Sequence, residues 1–207
     1  MDHKSFLKEK CDVPKIVDHH QRRLELVDAT WRIIARHGIE GATMRDIALE
    51  AGFSNGALKP YFPTKDDLLT FAFRHVFNRT NQRIALTTFN QTGLPAIRAF
   101  GREVLPIDEE KVSEARVVIP FWQKAVTDEF KMAIHRESME QWRVALKRHL
   151  GEARQTGEIT TEVPDALISE QLMNLFLGAQ ITAALSIPED NLPAYTDQLD
   201  GFLQNLS

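Results

Sequence analysis

The feature that most constrains this chain is a segment of twenty residues that begins at Thr43 and reads TMRDIALEAGFSNGALKPYF. Thr43 can cap a short helix, because Asp46 follows at the spacing of a capping box. Gly52 then breaks this helix at a turn that needs a positive φ, a conformation that favours glycine. Ser54 can cap a second short helix, which Pro60 limits. The segment therefore predicts two short helices joined by a tight turn, a helix-turn-helix.

The rest of the chain also has the pattern of helices. Apolar residues recur three and four positions apart, and the strict alternation of a half-buried strand is absent. A first helix is expected over 19–37, ended by Gly38 in the left-handed conformation. A long helix is expected from Thr64 to about residue 90. Later helices are expected just before Pro106 and over 108–127, 129–156, 165–186 and 192–205. The sequence thus predicts an all-α protein of about nine helices.

The second short helix of the segment has an outward face that suits a nucleic acid. It presents Asn55, Gly56, Lys59 and Tyr61, while the apolar residues of the segment can be buried against the first helix. Such a polar, partly basic face is short enough to enter a major groove. The segment therefore indicates DNA binding.

These residues resemble the tetracycline-repressor (TetR) family of transcriptional regulators. The matching positions, between Arg22 and Leu69, are Leu24, Ala29, Trp31, Gly38, Thr43, Ile47-Ala48, Ala51–Ser54, Leu58, Tyr61-Phe62 and Lys65–Leu69. The resemblance implies an all-helical homodimer, in which a three-helix DNA-binding domain is joined through a fourth helix to a larger ligand-binding and dimerisation domain. The recognition helix would be 54–60. Pro60 departs from the family pattern, since many members carry an aromatic or basic residue there.

The resemblance and the motif together give domain bounds and candidate DNA contacts. We expect an N-terminal arm over 1–18, a helix-turn-helix domain over 19–66 and a ligand-binding and dimerisation domain over 67–207. Phosphates are expected to be contacted by Thr43, Tyr61 and Lys65. Asn55 suits adenine and Lys59 suits guanine. The complete set of expected DNA-binding residues is Thr43, Arg45, Ser54, Asn55, Gly56, Lys59, Tyr61 and Lys65.

Aromatic and methionine side chains between residues 95 and 186 are candidates for a ligand pocket, although each one alone could equally be core. The expected pocket residues are Phe100, Phe121, Trp122, Met139, Trp142, Met173 and Phe176. The stretches 118–125 and 140–150 weakly resemble the ligand domain of the choline-responsive betaine-pathway repressors. For a quaternary amine, Trp122 and Trp142 would supply cation–π contacts of about 0.5–2 kcal/mol each.

The helix over 165–186 is apolar on a face wider than an internal core needs. Together with the last helix it is expected to form the dimer interface, and the family resemblance favours this over burial within the monomer. The expected interface residues are Leu172, Leu175, Ala179, Thr182 and Ala183.

Several classes of function are excluded by what the sequence lacks. It has no Walker loop, Rossmann glycine fingerprint, Gly-x-Ser-x-Gly elbow or His-Glu-x-x-His pair, so we expect neither an enzyme nor a cofactor. Scattered histidines and the single Cys11 predict no metal site. The net charge of −4, the charged N-terminus and the lack of a membrane span indicate a cytoplasmic protein. The expected function is a ligand-released repressor that binds a palindromic operator as a homodimer. The alternative is a helical protein-interaction adaptor.

Overall fold

The computed structural model of the protein describes residues 19–41, 43–54, 56, 58–186 and 194–207, and for His20, Trp31 and residues 34–40 it describes the backbone alone. These residues contain eight α-helices and no strand, which confirms the all-α class. The helices are α1 (His19–Gly41), α2 (Met44–Glu50), α3 (Lys65–Thr88), α4 (Gly93–Val104), α5 (Glu109–Ala125), α6 (Glu129–Thr156), α7 (Asp165–Leu185) and α8 (Tyr195–Gln204). The expected arm over 1–18 lies outside the described residues.

The helix ends that local chemistry predicts are present. The side chain of Thr43 accepts a hydrogen bond from the Asp46 backbone at 3.1 Å, and the Asp46 carboxylate accepts one from the Thr43 backbone at 3.3 Å. Thr64 and Asp67 form the same capping box at the start of α3, at 3.1 and 3.0 Å. Gly157 ends α6 with a φ of 77°. The two capping boxes could be predicted accurately because each involves residues only three positions apart.

The end of α1 differs from the prediction. The helix continues through Gly38, where the sequence analysis ends it, and stops at Gly41. A glycine inside a helix costs only about 1 kcal/mol relative to alanine, an amount that packing can outweigh. The described side chains that α1 buries are Leu26, Val27, Ala29, Thr30 and Ile33.

The segment after α2 also differs from the prediction. Gly52 has the expected positive φ of 75°. None of the described residues of 54–60 is α-helical: Gly56 lies in a 3₁₀ turn, Leu58 in a bend, and Lys59 and Pro60 in a turn. The backbone N–H groups of Tyr61 and Phe62 both donate to the Leu58 carbonyl, at 2.9 Å. Pro60, which has no N–H, and the poor helix former Gly56 account for the missing α-helix.

Two hydrophobic cores lie side by side, and the long helices contribute to both. The first core joins α1, α2 and the first half of α3 with residues of α5 and α6, among them Phe121 and Ile134. The second joins the rest of α3 with residues of α4–α8. Phe73 of α3 stacks on Phe121 of α5, with ring centroids 3.9 Å apart. The domain bound between residues 66 and 67 stays a prediction, but α5 and α6 pack directly on the N-terminal helices.

Candidate nucleic-acid interface and ligand pocket

The candidate DNA-binding residues that the structure describes lie at the protein surface. Thr43 caps α2, Ser54 follows the turn, and Lys65 is the first residue of α3. The exposed members of the set are Thr43, Arg45, Ser54, Gly56 and Lys59, and the half-buried members are Tyr61 and Lys65. Asn55 lies outside the described residues. The starts of α2 and α3 and the turn between them therefore present polar and basic side chains to solvent.

Tyr61 is held by aromatic rings on α1 and on the turn. The His19 ring lies 5.5 Å from the Tyr61 ring, and the Phe53 ring lies 6.5 Å from it in an edge-on arrangement. The guanidinium of Arg22 lies 5.1 Å above the Phe53 ring. The role of His19 was not predicted from the sequence, because no local pattern shows that the first turn of α1 contacts residue 61.

A buried lysine of α6 reaches the start of α3. The ammonium of Lys131 lies 2.6 Å from the Asp128 carboxylate and 3.0 Å from the Asp66 carboxylate, and its side chain is only 7% exposed. The hydrogen bond to Asp128, followed by that to Asp66, outweighs burial and raises the pKa of Lys131. The role of Lys131 was not predicted from the sequence either. The only local signal is the spacing of Asp128, which caps α6 three residues earlier.

A small, partly open cavity of about 30 Å³ lies between α3, α5, α6 and α7. Four of the expected pocket residues line it, namely Trp122, Met139, Trp142 and Phe176. Its wall also includes residues that the sequence analysis did not select, among them Phe73, Val76, Phe77, Thr80, Glu114 and Gln180. The lining of the cavity is thus largely apolar, with half of its apolar residues aromatic, and has a few polar groups, as is usual for small-molecule sites.

Three expected pocket residues, Phe100, Phe121 and Met173, do not line this cavity. All three are buried in the cores instead. The Phe100 ring packs against Trp142 at 5.9 Å and thus supports the wall from behind. Phe121 and Trp122 are neighbours on α5, and successive residues of a helix point about 100° apart, so only one of the two rings faces the cavity.

The two tryptophans of the cavity differ in hydrogen bonding. The indole N–H of Trp142 donates to the Asn81 side chain at 2.8 Å. The indole N–H of Trp122 is buried and has no hydrogen-bond partner among the described residues. An unpaired buried donor costs about 1–3 kcal/mol. A ligand that offers an acceptor to Trp122 would recover part of that cost.

The polar end of the cavity belongs to an ion-pair network. The Glu114 carboxylate is 4% exposed, and the Arg83 guanidinium binds both its oxygens at 2.9 and 3.0 Å. Burial alone would lower the pKa of Arg83, but Glu114 and then Glu103 raise it above its ordinary value. Glu103, Glu110 and Glu114 face two guanidiniums, those of Arg79 and Arg83. Lys111 bridges the carboxylates of Glu103 and Asp108, at 3.7 and 3.4 Å.

The expected interface residues of α7 divide between the two sides of the helix. Leu172 and Ala183 are fully buried in the protomer's own core, and Ala179 is 5% exposed. Leu175 is half-buried and Thr182 is exposed. The solvent side of α7 carries a different apolar set, Leu167, Ile181 and Leu185, which are 51%, 46% and 80% exposed.

Comparison with protein families identifies both parts of the chain. Residues 26–70 match "Bacterial regulatory proteins, tetR family", and residues 95–206 match "BetI-type transcriptional repressor, C-terminal". The chain belongs to the TetR family. Its C-terminal part is of the BetI type, which confirms both resemblances drawn from the sequence.

This TetR-family chain is similar to curated regulators over about half of its length. It is 40% identical to the HTH-type transcriptional regulator PksA of Bacillus subtilis over 111 residues, which are 53% of this chain and 54% of that protein. It is 32% identical to the regulator BetI of Burkholderia lata over 123 residues, 56% of this chain and 61% of that protein. The chain therefore spans less than two thirds of these relatives.

Solved structures of TetR-type fold match nearly the whole chain. A transcriptional regulator from Rhodococcus sp. Rha1 superposes with a TM-score of 0.76 at 26% identity, over 89% of this chain and 95% of that one. A protein from Saccharomonospora viridis in complex with choline has a TM-score of 0.80 at 19% identity, over 89% of this chain and 96% of that one. The second likeness is one of fold alone.

The described residues contain neither a candidate membrane-spanning helix nor a candidate metal-binding group. No helix among them is long and apolar enough to cross a membrane. No group of three or more histidine, cysteine, aspartate or glutamate side chains in the described ranges is placed to hold a metal ion.

Proposed function

We propose that this protein is a DNA-binding transcriptional regulator that represses by binding a palindromic operator as a homodimer and is released by a small-molecule effector. The observation that carries the proposal is the TetR match over 26–70, the region in which the candidate DNA contacts are held at the surface. Residues 19–66 would bind DNA, and residues 67–207 would bind the effector and a second subunit. The protein would act in the cytoplasm.

The candidate contacts divide into those that position the protein and those that read bases. Thr43, Tyr61 and Lys65 would bind phosphates, and Lys65 would be helped by the N-terminus of α3. Asn55 and Lys59 would read base edges. Arg45, Ser54 and Gly56 would complete the surface, with Gly56 letting the backbone approach the DNA closely. The short turn around Pro60 would make base reading depend on few side chains in each subunit.

A dimer would double this small reading surface. Two-fold symmetry would place the recognition segments about 34–36 Å apart, one turn of B-DNA. The apolar solvent side of α7 supports such a dimer, because Leu185 and Leu167 there are at least half exposed. Gly178, which is exposed between them, would let a partner helix approach closely. Thr182 and Leu175 would lie at the edge of the contact.

We infer that the effector is an organic cation that carries a hydrogen-bond acceptor. The cavity supports this in three ways. Trp122 and Trp142 offer faces for cation–π contacts. The side chain of Glu114, an acidic residue, lines the cavity. The buried indole N–H of Trp122 has no hydrogen-bond partner among the described residues, so it could donate to an acceptor atom of the ligand. Choline has both features, and the fold neighbour from Saccharomonospora viridis was solved with choline.

The DNA-binding proposal is tested by removing two phosphate contacts together. A duplex selected from random sequence by the wild-type protein is the probe. Tyr61→Ala with Lys65→Ala should weaken binding by at least ten-fold, while the oligomeric state stays the same. Lys147→Ala, an exposed lysine of α6, is the matched control for loss of charge. Wild-type affinity in the double variant would contradict the contacts, and failure to select any duplex would favour the adaptor alternative.

The effector proposal is tested by calorimetry with choline and its neutral carbon analogue, 3,3-dimethylbutan-1-ol. The two molecules have the same shape, so a cation site should bind choline at least five-fold more tightly, in line with two cation–π contacts. Trp122→Leu should reduce the preference. Equal binding of both compounds, or binding of the neutral one alone, would contradict an organic cation as effector.

A further inference from the structure

Two of the helices that line the cavity, α3 and α6, also contact each other through side chains of their first turns. Along α3, Phe73 and Val76 face the cavity, and Lys65 and Asp66 form the first turn. Along α6, Met139 and Trp142 face the cavity, and Lys131 lies in the first turn, about 12–17 Å away along the helix axis. An ion pair between these two first turns joins Lys131 to Asp66.

The geometry of this contact is fixed from the α6 side. One oxygen of Asp128 accepts the backbone N–H of Lys131 at 3.0 Å and so caps α6. The other oxygen accepts the Lys131 ammonium at 2.6 Å. Asp128, which caps α6, therefore orients the Lys131 ammonium toward Asp66. With its side chain 7% exposed, Lys131 cannot exchange these partners for water without moving.

On the α3 side the contact falls next to a proposed DNA-binding residue. Asp66 follows Lys65 directly, and the capping box of Thr64 and Asp67 makes this first turn one rigid unit. Any shift of Asp66 toward or away from α6 therefore moves Lys65 with it. Asp66 itself is 47% exposed, so its contact with Lys131 is not imposed by burial of the carboxylate.

We propose that Lys131 is a positioning residue that ties the first turn of α6 to the first turn of α3 and so holds Lys65 where it contacts a DNA phosphate. This inference rests on the proposed function, in which Lys65 binds DNA. A ligand that changes the packing of α3 against α6 at the cavity would act on Lys65 through the same ion pair.

The test measures DNA affinity against salt concentration, with the selected palindromic duplex as probe. Lys131→Met should weaken binding by about 3- to 30-fold, the range for residues that couple two sites. The slope of log affinity against log salt should become shallower by about 0.9 for each phosphate that the protein no longer neutralises. Lys65→Met should give the same change of slope, and the double variant should be no weaker than Lys65→Met alone. A merely destabilised protein would lose active fraction without any change of slope.

Two further variants keep the test decisive. Asp66→Asn breaks the same contact at a half-exposed position, so it protects against a Lys131 variant that does not fold. It should weaken binding and make the slope shallower, whereas simple loss of a negative charge near DNA would strengthen binding. Lys147→Met removes an exposed charge from the same helix and should leave affinity and slope unchanged.

The outcomes separate this inference from the proposed function. If Lys65→Met changes the slope but neither Lys131→Met nor Asp66→Asn does so in folded protein, the positioning role is wrong and DNA binding stands. If Lys65→Met leaves the slope as in the wild type, the phosphate contact of Lys65 is wrong and the inference is overturned with it. If the wild-type protein selects no duplex, both are overturned.

Discussion

At the scale of single residues, His135 is a half-buried imidazole whose ring lies edge-on to Trp122 at 5.8 Å. Burial lowers the pKa of His135 below its ordinary value of 6.5, and the charges of Arg143 and Arg136 lower it further. The folded protein therefore binds a proton at this residue less readily than the unfolded chain does. Stability that depends on neutral His135 is complete above pH 6.5 and is lost as the pH falls from there toward the lowered pKa.

This gives a pH-dependent prediction. His135→Gln should reduce the fall in the free energy of unfolding between about pH 7.5 and 5.5, because glutamine takes up no proton. Denaturant unfolding at both pH values measures the difference. Carboxylates with a lowered pKa, such as Asp128 and Glu152, act in a separate window, because their contribution is lost only as the pH falls below about 4 to 5. An equal loss of stability in wild type and variant would contradict the assignment to His135.

Residues whose partners are near in sequence could be predicted, and residues whose partners are distant could not. The capping boxes of Thr43 and Thr64 were predicted because all their atoms belong to four consecutive residues. The contact of His19 with Tyr61 and that of Lys131 with Asp66 depend on how helices pack, which no local spacing shows. Pro60 was predicted to limit the recognition helix, but Gly56 and Pro60 together leave no α-helix among the described residues there.

At the scale of one element, α7 shows why hydrophobic periodicity alone could not tell which side of a helix packs in the core and which side faces solvent. Apolar residues lie all around it, so the sequence did not separate the core side from the solvent side. The structure buries Leu172 and Ala183 in the protomer and leaves Ile181 and Leu185 exposed. The existence and bounds of the helix were predicted well. Of the residues proposed for the dimer interface, however, Leu172, Ala179 and Ala183 are buried in the protomer.

The two sides of α7 should therefore respond differently to substitution. Ile181→Asp combined with Leu185→Asp should convert a dimer to a monomer with little change in stability of the protomer, because both side chains are exposed there. Leu172→Ala should instead lower the free energy of unfolding by about 2–5 kcal/mol, as is usual for a truncated core leucine. Light scattering after size exclusion and denaturant unfolding measure the two effects. A dimer that withstands both aspartates would exclude this face of α7 as the interface.

At the scale of the whole molecule, the two cores meet along α3, where the ring of Phe73 in the first core stacks on the ring of Phe77 in the second, with centroids 6.3 Å apart. Helix α5 contributes Phe121 to the first core and Val112 to the second, and α6 likewise contributes to both. Helices that span two cores make independent unfolding of either core costly, since each would expose part of the other. The domain bound expected from the sequence, between residues 66 and 67, thus separates residues that pack together in the first core.

We therefore expect the described helices to open as one cooperative unit. Phe121→Ala should lower stability by about 3–5 kcal/mol, and hydrogen exchange of the slowest amides should accelerate equally in α2 and in α7, although α7 does not contribute to the first core. Phe100→Ala, a truncation in the second core, is the matched control and should accelerate exchange in α2 as well. Exchange followed by mass spectrometry measures both. Acceleration confined to the helices of the truncated core would mean that the cores unfold separately, and a ligand bound at their junction would then have no rigid path to α3.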